Sequence, residues 1–107
     1  MLVSCTAEME TIQLTPNNFR ELKLLVQPVA AYWKNIADGI GMEEYVPTIE
    51  RTHANMTPAD CLRDLLIRWL NMEGPHTLET ICQALKSDHD IQGREKVVSN
   101  LEKEFCK

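Results

Sequence analysis

At 107 residues, 44% of them hydrophobic, the chain is the size of one domain and can bury a single compact core. Its 16 acidic and 11 basic residues give a net charge of −5. The deficit is spread evenly, with seven acids and four bases in residues 1–53 and nine and seven in residues 54–107. That leaves no basic face of the kind a phosphate backbone requires, so nucleic acid is not an expected partner. No apolar run approaches the ~20 residues of a membrane span, and membrane insertion is not expected. The opening MLVSCTAEMETIQ lacks the basic start and apolar stretch of a signal peptide, which points to a cytoplasmic protein.

In chain order, 11-TIQLT-15 is the one segment that could pass for a strand, and it reads as part of an N-terminal flank, residues 1–14, outside a bundle made by residues 15–107. Thr15-Pro16 offers a cap and a first-turn proline for a helix. Its apolar stripe is Leu22, Leu25, Val26, Val29, Trp33, Ile36, Ala37 and Ile40. Pro28 lies inside and cannot donate its backbone bond, so a kink or a break into two pieces is expected there. Gly39 and Gly41 end the stripe, since glycine accepts the left-handed conformation found after helix C-termini. A short second helix spans about 43–51, with Val46 and Ile49 inward and Pro47 marking its first turn. THANMT holds at most one turn, a third helix in name only.

Thr57-Pro58 repeats the cap-plus-proline start and opens a fourth helix, 61-CLRDLLIRWLNM-72. At ~100° per residue, Leu62, Leu65, Leu66 and Trp69 share one stripe, while Arg63, Asp64, Arg68 and Asn71 point the other way. Ile67 lands among these polar residues, roughly 140° from Leu62. A buried stripe does not account for it. A stray surface isoleucine, a residue covered by the preceding loop, and the apolar centre of a docking surface are the three readings open to it. Gly74-Pro75 then breaks the chain. Thr77 caps a fifth helix with the stripe Leu78, Ile81, Cys82 and Leu85, and after the polar loop SDHDIQG a sixth carries Val97, Val98, Leu101 and Phe105.

Little here suggests catalysis. His53, His76 and His89 fall in expected loops with no serine or cysteine beside them, and read as solvated. The four glycines form no phosphate loop. Glu43-Glu44 reads as an acidic helix start favoured by the macrodipole, not as an acid/base pair. The cysteines, Cys5, Cys61, Cys82 and Cys106, show no C-x-x-C and no close histidine, so reduced thiols are expected, with no metal and no cofactor.

Three fragments stand in a telling order: 33-WKNIADGIGM-42, 46-VPTIERTHANMT-57, and 62-LRDLLIRWL-70 followed by 77-TLETICQALK-86. Together they resemble the death-domain family. Its pattern is a tryptophan before an aliphatic-alanine pair, an Ile-Glu, a leucine-rich helix ending in tryptophan, and a T-L-x-x-L-x-x-A-L helix. Trp33, Ile36, Ala37, Ile49, Glu50, Leu66, Trp69, Thr77, Leu78, Ala84 and Leu85 carry the match, which covers about Leu22 to Leu101; Pro28 and Pro47 depart from it. The resemblance implies an all-α, six-helix antiparallel bundle of Greek-key topology. It also implies a non-enzymatic module that docks onto other death domains, or onto further copies of itself, to assemble apoptotic or inflammatory signalling complexes. Complementary charge would carry that docking. The candidates are acids Glu43, Glu44 and Glu50 on the second helix with Arg51 beside them, and Arg63, Asp64, Ile67 and Arg68 on the fourth. The alternative is a helical scaffolding or intramolecular regulatory domain without homotypic docking.

Overall fold

The structure, a computed structural model, describes residues 12–52 and 54–105. Expectations for Cys5, His53 and Cys106 lie outside these residues. The described chain is helical: α1 (Phe19–Val26), α2 (Trp33–Gly39), α3 (Val46–Thr52), α4 (Pro58–Asn71), α5 (Leu78–Lys86) and α6 (Arg94–Phe105).

The break into two pieces expected at Pro28 is present. The first stripe is split in two by a 3-10 stretch, Gln27–Tyr32, inside which Val29 leaves helical geometry at φ −109°, ψ 23°. Pro28 is the cause, since its ring removes one backbone donor and clashes with the turn before it. Pro47 and Pro58 do no such damage, because each sits in the first turn of its helix, where the missing N–H has no partner to lose. The segment after α3 holds no more than the one turn expected of it, with residues 54–56 forming a turn and bend.

Three threonines fix where the chain turns helical. Thr15 accepts from Asn17 N and forms a capping box with Asn18, opening a 3-10 turn at Pro16–Asn18 that leads into α1. Thr57 does the same with Asp60 at the start of α4, and Thr77 accepts from Thr80 N at the start of α5. The two glycines near residue 40 act differently from each other. Gly41, at φ +78°, takes the left-handed turn expected of it. Gly39 stays in α2, where an added Cβ would lie 2.5 Å from the Cβ of Ala84. Its role is to let α2 and α5 approach.

The core joins the stripes. Leu22 and Val26 of α1, Trp33, Ile36 and Ala37 of α2, Ile49 of α3, Leu62, Leu65, Leu66 and Trp69 of α4, Leu78, Ile81, Cys82 and Leu85 of α5, and Val97, Val98 and Leu101 of α6 are all buried. Periodicity did not mark Met42 or Ile91, each at most 1% exposed and each in a connection. Nor did it place residues 12–14. They do not lie outside the bundle: Gln13 forms an antiparallel bridge with Thr77, and Leu14 is buried in the core.

Candidate docking surface

The outward side of α4 faces the segment that leads into it. Thr52, Met56, Asp60, Arg63, Asp64 and Ile67 line an open hollow of ≈ 360 Å³. Ile67 is half-buried there, and Met56, 61% exposed, is its apolar neighbour across the hollow. So the loop before α4 flanks Ile67 without closing over it. Met56 also lines a second hollow of ≈ 210 Å³ with Trp33, Lys34, Glu50, Ala54, Pro58 and Cys61, and thus forms the ridge between the two.

Charge on the rim is largely spoken for. Arg68 Nε donates to Asp64 Oδ1 at 2.6 Å, an i, i+4 pair that ties it to its own helix. Arg63 is exposed, with its guanidinium carbon 6.0 Å from the centre of the Phe19 ring, at the outer reach of a cation–π contact. Glu50 pairs with Lys34 Nζ at 2.8 Å, joining α3 to α2, and both side chains are about half exposed, so the pair contributes little stability. Arg51 is exposed beside it.

Glu43 and Glu44 stand elsewhere, on a 3-10 turn, Glu43–Tyr45, that precedes α3. The Glu43 carboxyl is hydrogen-bonded to Asp38 at the end of α2, and that bond together with Asp38's charge pushes it above the ordinary glutamate value. The candidates therefore fall into two regions. Ile67, Arg63, Asp64 and Arg68 belong to one side of α4, while Glu43 and Glu44 form an acidic ledge with Asp38. Sequence reasoning missed Thr52, Met56, Asp60, Lys34 and Asp38. Only Met56 carried a signal, as an apolar residue in the short connection before Thr57-Pro58.

His76 is not the solvated loop histidine expected. It is half-buried, its ring 4.7 Å from that of Trp69 and its Nε2 2.8 Å from the Met72 carbonyl. His89 is exposed, with Nδ1 3.1 Å from Arg94. Burial, then the nearby Asp60 and Asp64 charges, push the Cys61 thiol up, away from the reactive thiolate. Among the described residues no group of three or more His, Cys, Asp or Glu could hold a metal ion, and no helix is long and apolar enough to cross a membrane.

A family model, the death domain, matches residues 19–104, from the start of α1 nearly to the end of α6. The chain belongs to the death-domain family. Searches of curated proteins and of solved structures returned no match. The fold is thus an all-α death fold, and the family is one of protein–protein interaction modules, not enzymes. In that light the half-buried Ile67 and its exposed neighbour Met56 form an apolar centre within a charged rim, the anatomy common to protein interfaces.

Proposed function

We propose that this death domain docks homotypically, onto other death domains or further copies of itself, and assembles apoptotic or inflammatory signalling complexes as a cytoplasmic adaptor. The observation that carries this is the hollow in which Ile67, on an otherwise polar face of α4, meets the exposed Met56. The acidic ledge of Asp38, Glu43 and Glu44 supplies a surface of opposite sign for Arg63 to meet on another domain. In order and spacing the three fragments resemble the death domain of the Fas-receptor adaptor. That resemblance also supports reading the helices as the family's six-helix, antiparallel Greek key.

The test is a double reversal, Arg63→Glu with Arg68→Glu, followed by sedimentation of the chain alone and by capture of death-domain proteins. Surface charges contribute about 0–1 kcal/mol each to stability, so the melting temperature should barely move. Association should be lost, and in the parent it should weaken with salt. Association retained at parental strength would remove α4 from the interface. A parent that neither self-associates nor captures any death domain would favour a scaffolding role instead.

A further inference from the structure

The connection before α4 holds an exposed sulfur where the proposed docking surface is apolar. Pro58 disfavours the helical conformation for the residue before it. Thr57 is accordingly extended, at φ −77° and ψ 160°, and its capping box ties it to Asp60. The helix therefore does not run back through Met56, which sits in the bend ahead of it and joins no buried stripe. Met56 is 61% exposed, yet it lines both the Ile67 hollow and the neighbouring one that Trp33 and Cys61 share. The other sulfurs among the described residues are placed differently. Met42, Cys61 and Cys82 are buried. Met72, 40% exposed, stands at the opposite end of α4 and lines neither hollow.

We propose that Met56 is an oxidation site, and that hydrogen peroxide, by converting its thioether to the sulfoxide, switches off docking at the α4 hollow. The inference rests on the docking reading above and adds its regulation. The step is a two-electron oxygen transfer. A sulfur lone pair attacks one peroxide oxygen, the O–O bond breaks, and the departing hydroxide takes the proton of the transferred hydroxyl to leave as water. Sulfur is oxidised and peroxide reduced. Two thiols reverse the change, becoming a disulfide while the oxygen leaves as water, so the site can be reset. Exposure selects Met56, because the oxidant must reach the sulfur, and position gives the change its consequence. In the free domain the sulfoxide is hydrated at little cost. In the docked one it gives up that water beside Ile67, and a polar group buried without a hydrogen-bond partner is the costly case. Association should weaken about tenfold or more, while the fold, which a mostly exposed side chain does little to hold together, keeps its melting temperature.

The test treats the chain, with Cys5 and Cys106 replaced by serine, with hydrogen peroxide. Conversion at each methionine is read by peptide mass, and association by sedimentation and by capture of death-domain proteins. A chain that does not associate before treatment defeats the docking reading, and the switch with it. In an associating chain, peroxide should convert Met56, weaken association about tenfold or more, and leave the melting temperature unchanged. The reductases for the two sulfoxide epimers, with a dithiol, should then restore association. Two variants assign the effect. A chain with Met9→Leu and Met72→Leu should lose association on treatment as the parent does. Met56→Leu, compared only with itself before and after peroxide, should not change; where it does not associate at all, the first variant decides. Met56 fully converted with association intact overturns the switch and leaves docking standing. So does a loss that Met56→Leu still suffers, or one that the Met9→Leu, Met72→Leu chain escapes. Met56 left unconverted, or a melting temperature that falls along with association, overturns it as well.

Discussion

The α4 hollow and the acidic ledge were both candidate docking surfaces, yet they handle charge in opposite ways. In the hollow, Arg68 is bound to Asp64 on the same helix, and the uncovered feature is apolar, Ile67 beside Met56. On the ledge, Asp38 and Glu43 share a hydrogen bond, Glu44 stands next in the chain, and among the described residues no ion pair joins Glu43 or Glu44 to a cation. The hollow offers desolvation with little net field, and the ledge offers field with little to desolvate. Steering and holding are different tasks, and they call for these different surfaces.

The largest expected effect tests what lies beneath the hollow. Trp69 is 3% exposed on the inner stripe of α4 and carries the His76 ring. Trp69→Ala should cost roughly 3–5 kcal/mol in denaturant unfolding, a large part of a small domain's stability. Binding lost in that variant would report on folding, not on the hollow. A cost below about 1 kcal/mol would mean that α4 is not anchored by its inner face, and the distinction between its two faces would fail.

That inner face was legible because burial obeys a period. Leu62, Leu65, Leu66 and Trp69 fall on one stripe, and every one of them is buried. Helix starts were legible too, since Thr15, Thr57 and Thr77 cap by a local bond that needs only neighbours in sequence. Long-range pairing was not. Nothing local links Gln13 to Thr77, Gly39 to Ala84, or Asn35 to Asp88, whose side chains bond at 2.8 Å although 53 residues apart. The candidate site divided along the same line. Ile67 could be singled out as an exception to a period, but Met56 and Asp38 took their roles from contacts across a loop or between elements.

Ile67→Ser carries the next effect in size. Ile67 is well over half buried at the hollow, so unfolding should cost about 1–2 kcal/mol. Association with a death-domain partner should weaken tenfold or more, about 1.4 kcal/mol. A stability loss with binding intact would make Ile67 a minor core residue, and the hollow would then have no apolar centre of its own. Equal binding and equal stability would make it a stray surface isoleucine.

The smallest effect belongs to the ledge, and its sign separates the two regions. Glu43 is held above its ordinary value of 4.5, first by the hydrogen bond with Asp38 and then by Asp38's charge. The folded state thus binds a proton more tightly than the unfolded chain does. The stabilising contribution is fully present below the ordinary value and is lost as pH rises through the raised one. Asp88 has the opposite linkage: its bonds from the Asn35 side chain and Asp90 N hold it below the ordinary carboxylate range, so its contribution is lost as pH falls. Glu43→Gln removes the first effect and leaves the second in place. The difference in melting temperature between parent and variant should therefore change on going up from about pH 4.5 and level off once Glu43 is ionised, with the Asp88 effect cancelling in the comparison. If the ledge steers docking, the same variant should associate more slowly at neutral pH in low salt and dissociate at the parental rate, because a rim charge acts on encounter more than on retention. Ile67→Ser should do the reverse, speeding dissociation and sparing encounter. Both variants altering the same rate would mean that one surface performs both tasks, and the division between ledge and hollow would not stand.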